Sequence, residues 1–384
     1  MSLIARSRIR GVAGLIVALA VLAGCQMTAT QTRSIWANPV GWSYVGQPGF
    51  SPGSVGALTM AFQPSGGGPY VAFEDYSVSR GTLWHLSQGS WVQVGGSFSA
   101  GDINTPNLAF WNGMIFVAFK DNAAGGKVSV ASYNGSWGYL GAPGISPNQV
   151  TDNTPLVISA SGHGGIAFWD STLNHLGVMD WSGSWNFFPD FIRGHSISAG
   201  GAWQITMNVD PSGIPSVAYS DGMQGNNATE MFYDGTNWVP RGLPGFAPFS
   251  VWNLHSAVSP SGTQYVVFTQ AGSGNKPSVM QYSPSLGTWS LVGPQGISPA
   301  DTFGGVVIAV DSQGTPYVAF VDGTNNNRVT VMKFDGTQWN VVGQPGFTNA
   351  SIDYLTLAIG PGDVPYVAFR DTLNGNKACV MAYQ

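Results

Sequence analysis

The chain has 384 residues, 43% of them hydrophobic and only 9% charged, with a formal net charge of −5. That length holds one large or two average domains, and the apolar content is ample for a core. Gly is abundant at 53 residues, but 12% aromatics and 14 Trp exclude a disordered chain, and the acidic balance excludes nucleic acid, whose binding needs a clustered basic surface.

The first element is residues 1–24. Arg6, Arg8 and Arg10 precede an apolar run from Gly11 to Gly24 that is too short to span a bilayer and has the layout of an export signal. It ends in Leu22-Ala23-Gly24-Cys25, which resembles the lipobox of bacterial lipoproteins. The resemblance implies cleavage before Cys25, lipidation of Cys25 and a membrane partner held through lipid. Gln26 in place of Asp implies the outer membrane, with the domain facing the periplasm or the cell surface. Residues 1–24 are then a signal peptide, 25–38 the lipidated Cys and tether, and 39–384 the folded domain. Loss of three from the 14 basic residues leaves 11 against 19 acidic, a net of −8. Cys379 becomes the one free thiol, so no intramolecular disulfide supports the fold.

From residue 39 onward one strand-like phrase recurs seven times. It reads PYVAF at 69–73, IFVAF at 115–119, GIAF at 165–168, PSVAY at 215–219, QYVVF at 264–268, and PYVAF at 316–320 and 365–369. Each unit has the same order: an apolar run such as VVIAV at 306–310, a turn such as Asp311-Ser-Gln-Gly314, and the VAF strand. An Asn/Gly loop follows, then a run such as RVTVMKF at 328–334, a turn such as Asp335-Gly336, and a strand opening at Trp. Gly takes positive φ and Asp or Asn bonds its own backbone, so consecutive strands fold back antiparallel. Four β-branched and aromatic strands make one small sheet that cannot bury both faces alone, and such repeats stack. The expectation is all-β, a seven-bladed β-propeller of four-stranded antiparallel blades.

The Trp of the fourth strand stands at 42, 91, 137, 185, 238, 289 and 339. The last unit ends at Gln384 after its third strand, so Trp42 to Gly46 is expected to supply its missing outer strand and close the ring. Closure removes an edge that would invite aggregation. The units, W-x-x-VG-x-PGFS followed by PYVAF-x-D, resemble β-propeller repeats of exported bacterial proteins whose function is largely undefined. The Gly-His to Trp-Asp signature of WD repeats, the kelch double glycine and the sialidase Asp box are not met, and six scattered Arg in the mature chain do not suit a sialidase.

Asp75, Asp121, Asp170, Asp221, Asp322 and Asp371 end the second strands, with Gln270 in the seventh unit, and Lys127, Lys276, Arg328 and Lys377 open third strands. So regular a set reads as loop caps paired with nearby bases. Departures from the repeat point to a ligand site. Trp203 and Trp252 with His255 fall in loops of one face, and Asp102, Asp152, Asp301 and Asp353 occupy equivalent loops. Indoles covering the apolar face of a pyranose, with amides and carboxylates taking its hydroxyls, suit carbohydrate. Trp203, Trp252, His255, Asp102 and Asp152 are the candidate ligand-binding residues. Five His form no metal motif, no nucleophile, phosphate or dinucleotide motif is visible, and no cofactor or catalytic residue is expected. The reading is a monomeric, non-enzymatic binding module of the cell envelope for glycan or protein. Its rivals are a polysaccharide hydrolase or lyase using Asp residues of that face, and a scaffold in an envelope complex.

Overall fold

The structure is a computed structural model that describes residues 41–151, 153–188, 196–299 and 301–384. The leader, Cys25 and the tether lie outside these residues, and no helix among the described residues is long and apolar enough to cross a membrane. The strands form seven four-stranded antiparallel sheets. Their inner strands are Val55–Ala61, Ile103–Trp111, Leu156–Ile158, Ala202–Val209, Val251–Val258, Thr302–Val310 and Ile352–Gly360, for blades 1 to 7. Each inner strand touches the next, and the seventh touches the first, so the sheets make a closed seven-bladed β-propeller.

The ring closes as the repeat count requires. Trp42–Tyr44 is the outer strand of blade 7, pairing Trp42 with Tyr383 and Tyr44 with Met381. Gly41 N–H donates to the Gln384 carbonyl at 2.7 Å, and Gln384 N–H returns the bond at 3.1 Å. Second strands such as Gln264–Gln270 and Pro316–Asp322 are buried at every residue, as sheets covered on both faces must be. The phenylalanine of the VAF phrase is fully buried in six blades, at Phe73, Phe119, Phe168, Phe268, Phe320 and Phe369. Each hydrophobic cluster joins two neighbouring blades; Val55 and Leu58 of blade 1, for example, pack with Ala368 and Val380 of blade 7.

The repeated Trp is a latch between blades. Its indole N–H donates to the carbonyl three residues past the Trp of the preceding blade: Trp91 to Val45, Trp137 to Val94, Trp185 to Leu140, Trp289 to Arg241, Trp339 to Val292 and Trp42 to Val342. Trp238 is the exception: its N–H has no partner, and Phe188, at the equivalent position, meets its ring edge-on at 5.5 Å. The PGFS phrase completes the latch. Its Phe stacks on the next blade's Trp, as Phe50 does on Trp91 and Phe347 on Trp42, both at 4.0 Å.

The repeated Asp residues are buried hubs. One oxygen caps the loop; Asp121, Asp221 and Asp322 accept from the N–H groups of Ala124, Met223 and Thr324. The other oxygen accepts a third-strand hydroxyl, from Ser129 at 2.8 Å, Thr229 at 2.9 Å and Thr330 at 2.7 Å. Capping is as the sequence suggested, but in these three blades the second partner is a hydroxyl in place of the expected base. The bases instead lay their methylene stems on the linking loop, as Lys377 does beside Gly49 and Lys127 beside Gly144.

Candidate functional site

Loops leading into the inner strands share one face with the loops between second and third strands. Asn122 N–H bonds the Asp102 carbonyl there, and Gly222 N–H bonds that of Gly201. At this mouth the inner strands of blades 1, 2, 4, 5, 6 and 7 break register with a bulge. Four bulges hold a non-glycine at positive φ: Thr105 (39°), Gln204 (53°), Asn253 (50°) and Tyr354 (48°). A β-branched or aromatic residue there is strained, and bulges re-aim side chains next to sites.

Trp203 and Trp252 each directly precede a bulge residue, at matching positions on neighbouring blades. They are 46% and 53% exposed, far from the usual fate of indole in a propeller this well packed. Trp203 lies across the backbone of its own loops: a Cβ on Gly201 would come within 2.6 Å of the ring, and one on Gly222 within 3.0 Å. Glycine at both positions is what lets the indole lie flat. Trp169, buried, stands behind it at 6.2 Å between ring centroids. Gln204 Oε1 accepts from the Leu254 N–H at 3.0 Å, tying one bulge to the next, and Thr269 Oγ1 donates to the Trp252 carbonyl at 3.2 Å.

The other candidates are dispersed. His255 turns into the seam between blades 5 and 6, where Nδ1 accepts from the Ile308 N–H at 3.5 Å, and burial lowers its pKa to about 4. It is therefore neutral at ordinary pH. Asp102 lies on blade 2, where its carboxylate accepts from Asn122 Nδ2 at 2.9 Å. Asp152 lies outside the described residues. The structure thus sets Trp203 and Trp252 at matching positions of adjacent blades, turns His255 into the next seam and leaves Asp102 on blade 2.

A polar cluster that sequence reasoning missed occupies the mouth at blades 7 and 1. Arg370 Nη2 donates to Asp353 Oδ2 at 2.7 Å and Nη1 to the Val55 carbonyl at 3.3 Å, with the guanidinium 4.8 Å from the Tyr354 ring. Glu74 fills the space above Gly56, and Tyr76 bonds it; burial, and then the Glu74 charge and hydrogen bond, raise the phenol's pKa. A signal was available. The residue before each repeated Asp or Gln differs in every blade: Glu74, Lys120, Trp169, Ser220, Thr269, Val321 and Arg370. Among the described residues no cluster of His, Cys, Asp and Glu suits a metal ion.

No protein-family model and no curated protein matches the sequence. Solved structures do match. A structure of YCF48 bound to a D1 peptide aligns with TM-score 0.57 at 12% identity, over 91% of this chain and 96% of that one. SapL1 lectin in complex with α-methyl fucoside aligns with TM-score 0.51 at 16% identity, over 80% and 100%. AofleA from Arthrobotrys oligospora aligns with TM-score 0.51 at 12% identity, over 79% and 91%. At such identities the likeness shows the propeller fold alone.

Proposed function

We propose that the protein is a lipid-anchored, non-enzymatic binding module of the bacterial envelope whose mouth takes carbohydrate. The observation that carries this is the exposure of Trp203 and Trp252 at matching positions on adjacent blades. Two indoles on one rim offer flat apolar platforms for sugar faces, and the bulges beside them carry the amides of Gln204 and Asn253, held by bonds to Leu254 and Thr269. Two described carboxylates of the mouth are engaged structurally, Asp102 by Asn122 and Asp353 by Arg370, which supports binding over acid–base chemistry. A lectin in complex with a fucoside has the same fold.

Gly41 pairs with Gln384 at the end of blade 7 opposite its second-to-third-strand loop. Glycan-array screening of residues 39–384, followed by calorimetry on hits, tests the reading. Trp203→Ala and Trp252→Ala should each weaken binding by about tenfold, the loss of one stacking contact. Binding that ignores both variants, or only protein ligands captured at the mouth, defeats the carbohydrate assignment. Palmitate labelling in a bacterial host, abolished by Cys25→Ser, tests the anchor.

A further inference from the structure

Opposite the mouth, five second strands open with an aromatic ring that packs toward the next blade: Tyr70, Phe116, Tyr265, Tyr317 and Tyr366. Blades 3 and 4 carry Gly165 and Ser216 there instead. In blade 4 other side chains occupy the seam. Phe232 stands in register with Ser216, and the Arg241 guanidinium lies 4.3 Å from that ring, 5.5 Å from Tyr282 of blade 5 and 2.9 Å from Glu230. In blade 3 a cavity of about 230 Å³ between blades 3 and 4 is lined by Gly165 itself. Met207 and Val157 reach toward the vacated position, their nearest methyls 2.7 Å and 3.4 Å from where a Gly165 Cβ would sit.

The walls of that cavity are chemically distinct from the seams around it. Asp180 is the cross-strand partner of Gly165, so its carboxylate stands over the missing ring. His163, Ser159 and Ser161 form one side, the two hydroxyls 2.9 Å apart. Phe188 and Tyr233 form the other, meeting edge-to-face at 5.0 Å. Among the described residues no lysine or arginine lines it. Burial raises the Asp180 pKa, with His163 offsetting part of the effect, as for a carboxylate short of a cation.

We propose that this cavity is a second ligand site, independent of the mouth, that takes an amino sugar with its ammonium group on Asp180. A carboxylate supplies the counter-charge, two aromatic rings supply an apolar wall with cation–π attraction, and the hydroxyls take ring oxygens. The volume of the cavity suits one pyranose.

Titration of the full domain with glucosamine, followed by amide chemical shifts and calorimetry with glucose as the uncharged control, is decisive. Saturable shifts at residues 159–165 and 180 are expected, with glucose weaker by about tenfold or more. Asp180→Asn, which keeps the shape, should weaken glucosamine to the level of glucose. Gly165→Tyr restores the ring of the other blades and should abolish binding. A Trp203→Ala/Trp252→Ala double variant should bind glucosamine unchanged, which separates this site from the mouth. Equal binding of the two sugars, no saturable binding, survival of binding in Asp180→Asn, or its loss in the tryptophan variant would each overturn the proposal.

Discussion

Cys379 stands in blade 7 where blades 2, 4 and 6 place Ser129, Thr229 and Thr330. Those hydroxyls accept the N–H of the Pro-Gly glycine, from Gly144, Gly245 and Gly346 at 2.9 Å each, and donate to the repeated Asp. Cys379 keeps the first bond, accepting from Gly49 at 3.0 Å, but its Sγ is 3.7 Å from Asp371. Burial pushes this thiol up to about 12, so it is an inert structural group. Cys379→Ser should therefore raise stability by up to about 1 kcal/mol, the worth of one buried hydrogen bond, seen as a higher midpoint in calorimetry. Glu230 and Arg241 are a different departure. Glu230 sits where the other blades have Leu83, Val130, Val178, Val279, Val331 and Val380, and its Oε2 has no hydrogen-bond partner. Burial raises its pKa to about 7, with Arg241 and Ser216 offsetting part. With the folded value above the unfolded 4.5, the stability it contributes is complete below 4.5 and lost as pH rises through about 7. His255 has the opposite sign: its contribution is complete above 6.5 and lost as pH falls through about 4. Urea unfolding across this range should show Glu230→Gln flattening the neutral limb and His255→Gln the acid limb. Arg241→Ala should cost about 3–5 kcal/mol, whereas Glu230→Val with Arg241→Val should be neutral or stabilising by about 1–4 kcal/mol. A double variant as damaged as the single one would show that the pair is more than a tolerated burial.

Among elements, the linker between blades matters more than its irregular form suggests. In the PGFS phrase the Phe wedges against the next Trp, the Gly N–H bonds the third-strand hydroxyl or thiol, and Ser51, Ser99, Ser146 and Ser198 accept third-strand N–H groups. The seven strand phrases, the Trp series and ring closure were legible because they are periodic and each follows from turn chemistry or strand count. The linker's role was not, because its partners lie one blade away; Trp91 and Val45 are 46 residues apart. Caps on the Asp residues were legible from two- and three-residue spacing, while their hydroxyl partners depend on third-strand register. At the mouth, Trp203 and Trp252 stood out as breaks in the repeat. The Arg370–Asp353 pair did not, since it is cross-strand beside a bulge that residue pattern does not announce. The linker account makes a graded prediction. Trp91→Phe keeps the stack on Phe50 but loses the bond to Val45 and should cost about 0.5–1.5 kcal/mol. Trp91→Ala loses both and should cost about 3–5 kcal/mol. Equal losses in calorimetry would assign all the energy to the hydrogen bond or to other effects of the substitution.

At the scale of the whole molecule, stability depends on one short noncovalent seam. Most adjacent strands within a blade are joined by a short loop, but the outer strand of blade 7 is held to its neighbour noncovalently, through three register pairs, the Gly41–Gln384 bonds and the bonds from Val45 and Phe50 N–H to Val380 and Ala378, and to blade 6 through the Trp42 latch. Fraying of Trp42–Tyr44 would expose the edge of Lys377–Tyr383, an apolar strand whose burial is nearly complete, and exposed edges pair with other chains. Deletion of residues 41–46 should therefore convert the domain into aggregates or strand-exchanged oligomers, read by light scattering. The converse test is a circular permutant that joins Gln384 to Gly41 through a short linker and opens the chain at the exposed Asp335-Gly336 turn. Joining the strands makes their pairing a short-range event with a smaller closure entropy. The permutant should keep the fold, slow amide exchange at residues 42–45, and lose the concentration dependence of heat-induced aggregation. If instead its exchange at those residues matches that of the parent while aggregation persists, the weak point of the ring lies at another seam. The blade 3–4 junction, where Trp238 has no latch bond, is the first place to look.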